Sequence, residues 1–466
     1  MEEDTKSIDD FPNGWVKCKL LDCGDIVPGG TPSTKIAEYW GNEVSWITPA
    51  DLSGYENKYI AKGKKSITSQ GLLKSSAKLM PKGTVLFSTR APIGYAVIAS
   101  NDICTNQGFK SIIPNSLIYN EFLYHFFKSA KQLAEKHASG TTFKELSLEA
   151  FSKIPIDVPP LLEQHRIVAK IEELFSELDK GVEALKTAQQ QLKVYRQAVL
   201  KWAFEGKLTN KHVVEGRLPE GWKWKQIQKI TSILGDGLHG TPIYSENGDY
   251  HFINGNNLFD GKIVFKENTK RVLYEEYEKY KKNLNEKSIL VSINGTLGNT
   301  AFYNGERIIL GKSACYFNVT DEVDKHYLRY SITSQRFINY AHKTATGSTI
   351  QNVSLKAMRD FEIPLPSLTE QHAIVQEIET RLSVADKVEE TITQSLQQAE
   401  ALRQSILKRA FEGKLVPQDP HDEPAEKLLA RIRAERAAQT PVNGTVKRRS
   451  ARRKAASSLG AAAGKP

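Results

Sequence analysis

Residues 140–208 read GTTFKELSLEAFSKIPIDVPPLLEQHRIVAKIEELFSELDKGVEALKTAQQQLKVYRQAVLKWAFEGKL. Residues 347–415 read GSTIQNVSLKAMRDFEIPLPSLTEQHAIVQEIETRLSVADKVEETITQSLQQAEALRQSILKRAFEGKL. The two align at a constant offset of 207 without a gap, with 31 identities in 69 positions, so the chain carries one segment twice. Upstream the likeness persists but drifts: FPNGW (11–15) answers LPEGW (218–222), GGTP (29–32) answers HGTP (239–242), TVLFS (84–88) answers SILVS (288–292), and Gly94 answers Gly298. Each half is a variable region of about 140 residues followed by a matched segment of about 60, a tandem domain duplication and not a solenoid.

Each matched segment predicts a long helix that begins just past a proline. The first, from near Leu162, places Ile171, Leu174, Leu178, Gly181, Leu185, Ala188, Leu192, Tyr195, Val199 and Trp202 at alternating spacings of three and four. The second places Ile374, Ile378, Ala385, Val388, Ile392, Ala399, Leu402 and Ile406 in the same register. This is a heptad seam. A helix of about 40 residues runs roughly 60 Å, longer than one domain of this size needs. The two helices are therefore expected to pack on each other as an antiparallel coiled coil, the duplicated halves being related by a pseudo-twofold axis.

The variable regions read as α+β. Short strands bounded by turn residues are expected at Val44–Thr48, Thr84–Ser88, Gly94–Ala99 and Lys110–Ile113, and again at Tyr250–Asn254, Ser288–Ile293, Thr300–Tyr303 and Cys315–Val319. One amphipathic helix closes each region, Asn120–His137 and Asp324–His342. The expected divisions are an extension (1–11), a first variable domain (12–157), a central helix (158–208), a second variable domain (209–364), a distal helix (365–415), a C-terminal helical segment (416–440) and a basic tail (441–466).

Composition narrows the class. With 466 residues, 40% hydrophobic and 25% charged, the chain is globular, and no run approaches the roughly 18 apolar residues that cross a bilayer. The start, MEEDTKSIDD, has no signal-like segment, so no membrane association and a cytoplasmic location are expected. Four cysteines, Cys18, Cys23, Cys104 and Cys315, have neither zinc-ligand nor disulfide spacing and read as reduced core thiols. The net charge of +10 is concentrated in the tail. Seven basic residues and no acid lie between Lys447 and Pro466, leaving +3 for the rest. The tail reads as disordered; it either holds phosphates loosely or only aids solubility.

Catalytic motifs do not hold up. Gly235-Asp236-Gly237-Leu238-His239-Gly240 fits G-x-G-x-x-G, but Thr241-Pro242 follows where a phosphate-binding helix would start. Gly311-Lys312-Ser313 lacks the upstream glycine of a P-loop, and the Asn-Pro-Pro-aromatic loop of amino-methyltransferases is missing. Glu163-Gln164-His165 and Glu370-Gln371-His372 recur, but in the first turn of a helix, where capping explains Glu and Gln better than acid–base chemistry.

Over about residues 12–440 the chain resembles the DNA-specificity subunit (HsdS) of type I restriction-modification systems. The resemblance rests on the helix entrances Pro160-Leu161-Leu162-Glu163-Gln164-His165-Arg166-Ile167-Val168 and Pro366-Ser367-Leu368-Thr369-Glu370-Gln371-His372-Ala373-Ile374-Val375, and on the two AFEGKL exits. GGTPST ending at Thr34, Tyr39-Trp40 and Trp46-Ile47-Thr48-Pro49-Ala50-Asp51-Leu52 are similar to one recurrent kind of target-recognition domain. Tyr250 to Leu258 keeps less of that pattern and lacks the Trp, which implies a different half-site. The resemblance implies a subunit without catalysis, in which each target-recognition domain reads one half of a bipartite double-stranded DNA sequence and the helices act as a spacer. It further implies two methyltransferase (modification) subunits acting on adenine with S-adenosylmethionine, and two motor/endonuclease (restriction) subunits using ATP and Mg; this chain itself would hold no cofactor. A coiled-coil scaffold that binds proteins is the alternative, and salt-sensitive binding to duplex DNA separates the two.

Base reading needs amide and guanidinium groups on exposed loops, and phosphate binding needs Lys, Ser, Thr or backbone amides. The candidates of those types are Thr31, Ser33, Lys35, Arg90, Asn106, Gln107, Thr141 and Thr142 in the first domain, and His239, Thr241, Asn254, Asn256, Asn294, Lys312, Ser348 and Thr349 in the second. Arg90 stands out because it follows a buried-looking strand and precedes Ala91-Pro92-Ile93-Gly94. Residues 12–150 hold 16 basic and 11 acidic side chains and 219–357 hold 18 and 14, modest excesses that suit a reader helped by partners.

Overall fold

The computed structural model describes residues 11–90, 92–140, 144–347 and 350–439. It divides into two compact units, one built from the residues up to Lys180 and from Gln398 onward, the other from Gly181–Gln397.

In the first unit, five strands form a sheet in the order Gly24–Pro28, Phe109–Pro114, Val85–Thr89, Ile93–Ala99, Tyr59–Ile60. Three strands, Lys65–Ile67, Trp40–Ile47 and Cys104–Thr105, form a second, smaller sheet, and Val16–Lys19 pairs antiparallel with Pro155–Val158. The second unit repeats this plan. Its main sheet runs Thr231–Asp236, Ala314–Val319, Ser288–Ser292, Thr300–Phe302, its smaller one Arg271–Val272, Tyr250–Ile253, Ile308–Leu310, and Lys223–Gln226 pairs with Glu362–Leu365.

Alternation decides which face of each main sheet is covered. Val85, Phe87, Ile98 and Ile112 are buried with Phe122, Leu123, Phe127 and Phe151, and Phe87 stacks on Phe127 at 4.5 Å between centroids. Ile289, Val291 and Phe317 pack likewise with Tyr327, Leu328, Ile332 and Phe337. Each expected closing helix is broken in two: Asn120–Ser129 then Lys131–His137, and Lys325–Thr333 then Gln335–Thr344. In the second unit the break is made by Ser334, whose hydroxyl accepts from Phe337 N at the new helix start.

The long helices are Leu161–Phe204 and Leu368–Phe411, each of 44 residues. They pack on one another, antiparallel, and each contributes to both units. Their ends are bound into the cores, Ile167, Val168, Ile171, Ile406, Leu407 and Ala410 in the first unit and Val199, Leu200, Ala203, Ile374 and Ile378 in the second. The expected seam needs a correction. Gly181, Tyr195, Val388 and Leu402 are exposed, and the residues that face the neighbouring helix one place after Tyr195 and Leu402 are Arg196 and Arg403. A helix of 3.6 residues per turn drifts off a strict seven-residue repeat, and here long arginine stems take over where the apolar stripe has rotated away.

The Glu-Gln pairs at the helix starts are structural. Gln164 is fully buried; its Oε1 accepts from Tyr119 N at 2.7 Å and its Nε2 donates to Leu117 O at 2.9 Å and Pro159 O at 3.0 Å. Gln371 makes the same three bonds, to Asp324 N, Glu322 O and Pro366 O, at 2.9, 2.9 and 3.0 Å. Each glutamine thus clasps the long helix to the loop that opens the closing helices. All four cysteines are free and buried.

Candidate nucleic-acid interface

The candidate residues that the structure describes gather at one end of each main sheet, on loops joined by backbone hydrogen bonds. In the first unit Gly29 N and Gly30 N donate to Phe109 O and Thr105 O, at 3.2 and 2.8 Å. Asn106 N donates to Ile47 O at 2.9 Å, Thr89 N to Gly108 O at 2.8 Å, and Leu146 N to Thr89 O at 3.0 Å. These bonds draw together the turns at 29–35 and 105–108, the end of the strand Val85–Thr89, and Glu145-Leu146, bridged to Ser139.

The second unit makes the same bonds. Gly237 N and Leu238 N donate to Ala314 O and Leu310 O, Gly311 N to Ile253 O, Ile293 N to Ser313 O, and Val353 N to Ile293 O, all between 2.7 and 3.0 Å. Gly29 and Gly237 are fixed by close approach: a Cβ would lie 1.8 Å from Asn106 O in one case and 2.3 Å from Gly311 O in the other. The correspondence of GGTP with HGTP is therefore corrected by two places, since Gly29-Gly30-Thr31 occupies the backbone position of Gly237-Leu238-His239. Likewise Thr48, bonded through its N to Asp51 Oδ2 at 2.8 Å, corresponds to Asn254, bonded to Asn257 Oδ1 at 3.0 Å. Phe252 stands where Trp46 stands in the first unit.

Position by position, the candidates separate. Thr31 donates its hydroxyl to Gln107 Oε1. Gln107, Ser33 and Lys35 are exposed, and Ser33 O accepts from Trp40 Nε1 at 3.2 Å. Asn106 Oδ1 accepts from Gly108 N at 2.9 Å, so its carboxamide shapes the turn. Arg90 is exposed, bridged in backbone to Glu145, with the guanidinium 3.8 Å from that carboxylate. In the second unit His239, Thr241, Asn256 and Lys312 are exposed, and His239 Nε2 lies 2.5 Å from Asp236 Oδ2. Asn254 is committed to the turn, its Oδ1 accepting from Ser313 Oγ at 3.0 Å. Asn294 bridges Asn352 and donates its amide to Asn352 Oδ1 at 3.2 Å. Thr141, Thr142, Ser348 and Thr349 lie outside the described residues, as does the basic tail.

Residue types alone had not singled out Glu145, Asn352 or Lys110. Lys110 is a lysine in the middle of a sheet, 7% exposed, whose Nζ lies 3.5 Å from Thr89 Oγ1. Burial pushes its ammonium below the usual lysine range, and the Glu145 carboxylate pulls the other way. The constant offset of 207 pairs Glu145 with Asn352 and was the available signal for them. Among the described residues no cluster of His, Cys, Asp and Glu is arranged to hold a metal ion, and no helix is long and apolar enough to cross a membrane.

Two copies of one loop frame, each presenting different side chains, define a duplicated recognition protein. The model of the family described as type I restriction modification DNA specificity domain matches residues 12–187 and again 219–398, and the chain belongs to that family. It is 32% identical over 389 residues to the MjaIX type I restriction enzyme specificity subunit of Methanocaldococcus jannaschii, covering 78% of this chain and 87% of that one. It is 25% identical over 458 residues to the EcoKI specificity subunit of Escherichia coli K12, covering 92% and 97%. A chain of a type I R-M system solved for its complex assembly and conformational transition superposes with a TM-score of 0.65 at 20% identity, over 87% of this chain and 99% of that one. The HsdS subunit of Thermoanaerobacter tengcongensis gives 0.55 at 20% identity, over 87% and 98%. At that identity the solved chains speak for the fold. The scaffold alternative is not favoured.

Proposed function

We propose that this chain selects the DNA target of a type I restriction-modification complex and catalyses nothing itself. Each unit reads one half of a bipartite duplex sequence through its loop cluster, and the paired helices set the spacing between the halves. The observation that carries this reading is that the family's DNA specificity domain occurs twice in one chain, on the same hydrogen-bonded frame with different exposed side chains. Two methyltransferase subunits would modify adenine using S-adenosylmethionine, and two motor/endonuclease subunits would use ATP and Mg, all in the cytoplasm. Phosphate contacts hold such a reader on the duplex and base contacts choose the site. The test is to produce the chain with its methyltransferase in cells lacking other adenine methylation and to map methylated adenines by long-read sequencing. A single motif with two specified halves and an unspecified gap is expected; methylation independent of the chain would overturn the reading.

A further inference from the structure

Strand register makes three positions of the two loop frames equivalent. Phe87 faces Lys110 across the ladder as Val291 faces Cys315, so Lys110 corresponds to Cys315. Thr89 and Ile293 make matching bonds, to Gly108 and Leu146 in one unit and to Ser313 and Val353 in the other, so the next residues, Arg90 and Asn294, correspond. Their bridge partners Glu145 and Asn352 correspond in turn. In the first unit the three positions hold Lys, Glu and Arg; in the second they hold Cys, Asn and Asn. All three charges change together.

Resting on the reading of each unit as a DNA half-site reader, we infer that this shared position at the strand end is a base-reading position in both units: Arg90 reads a guanine in one half-site, Asn294 an adenine in the other, and Glu145 and Lys110 position Arg90. The frame suits the task. Thr89, just before Arg90, has both its N and its O bonded, so the Arg90 backbone is fixed while its side chain stays about half exposed. Glu145 pairs with the exposed Arg90 at 3.8 Å, and its charge also acts on the buried Lys110. It aims the guanidinium without cancelling the local positive charge, which the group needs on approaching an electronegative groove edge. A guanidinium pairs in bidentate fashion with guanine O6 and N7, and a carboxamide with adenine N6 and N7. Asn294 spends one N–H on Asn352 Oδ1, which orients the amide and leaves the other N–H and the Oδ1 for the base. With Arg90 gone, Lys110 and Glu145 lose their purpose, which accounts for their joint replacement by neutral residues in the second unit.

The test uses the full chain with its methyltransferase, Arg90→Ala, Arg90→Lys, Glu145→Gln and the transplant Lys110→Cys/Glu145→Asn/Arg90→Asn. Methylated motifs are mapped, and binding is measured to duplexes in which each base pair of the first half-site is replaced in turn. Arg90→Ala and Arg90→Lys should lose discrimination at one G·C position, by roughly tenfold to hundredfold, with the second half-site unchanged. Glu145→Gln should weaken discrimination at that same position, and the transplant should shift it toward A·T. If every position keeps its full discrimination while affinity falls uniformly or not at all, Arg90 contacts phosphate or nothing, and the inference is wrong. The duplex measurement decides even where a variant no longer methylates. A wild-type complex without a two-part motif would instead sink the underlying reading, whatever the variants do.

Discussion

Arg403, on the second long helix, donates to Asp179 on the first and lays its guanidinium over the Phe175 ring at 4.4 Å. Subtracting 207 from 403 gives Arg196 and adding it to 179 gives Asp386, and those two are joined at 2.7 Å in the other unit. One contact is thus made twice, with the helices exchanging roles, and the duplicated sequence is the reason.

Removing that contact should be felt modestly. Asp179 is largely exposed, so the ion pair alone contributes under about 1 kcal/mol, and stacking of Arg403 on Phe175 adds roughly 0.5–2 kcal/mol. Arg403→Ala should therefore destabilise the first unit by about 1–2 kcal/mol in urea denaturation, and Asp179→Asn by less.

The glutamine clasps should matter more. Gln164→Ala leaves Tyr119 N, Leu117 O and Pro159 O without their side-chain partner. Unsatisfied buried groups cost about 1–3 kcal/mol each, so a loss of roughly 3 kcal/mol or more is expected. Gln371→Ala should cost the second unit a similar amount, and His165→Ala, beside the clasp on the same turn, should cost clearly less. Calorimetry on the single variants checks this.

His125 sets a pH dependence. It is 4% exposed, both ring nitrogens lack a partner among the described atoms, and burial with the Lys58 charge lowers its pKa from 6.5 to about 4. Glu121 opposes the shift, and Glu172, 4.0 Å away, is already paired with Lys58. The folded state therefore binds this proton less readily than the unfolded chain does. Stability should be full above about pH 6.5 and fall by about 1.4 kcal/mol per unit between there and about pH 4. Urea midpoints against pH measure it, and His125→Leu should flatten that window.

Much of this architecture is legible in the sequence, and the reasons are local. Residues of the long helices meet equivalent neighbours in both copies, so selection of side chains leaves 31 identities in one ungapped register. Strands such as Val85–Thr89 and Ser288–Ser292 are buried throughout and announce themselves as apolar runs. The break at Ser334 is hidden because apolar periodicity continues across it. Tyr195 and Leu402 are misplaced by a strict heptad because the real helix turns slightly slower than the repeat, about 20° short per heptad. In the loops, residue type names Arg90 and Asn294 among many candidates and cannot separate exposed Gln107 from Asn106, whose amide is occupied by its own turn. Nor does it mark Lys110 or Glu145, whose neighbours Phe87 and Arg90 stand across a strand pairing.

The spacing role predicts a difference between single and paired insertions. Four residues lengthen a helix by about 6 Å and turn it by roughly 400°. Inserted after Thr187 alone, they would separate Asp179 from Arg196 by more than Asp386 is separated from Arg403, so one of the two contacts must break and methylation should fall sharply. Inserted after both Thr187 and Gln394 they preserve both contacts, and the mapped motif should gain about one or two unspecified base pairs, given a rise of about 3.4 Å.

Independence of the two readers is the central claim, and exchanging one of them tests it most directly. Residues 13–149 are replaced by the corresponding region of a relative, leaving the long helices and the second unit intact, and methylated adenines are mapped in cells that also make the methyltransferase. The account predicts a new first half-site with the second half and the gap unchanged. A motif altered in both halves, or with its first half unaltered, would contradict it.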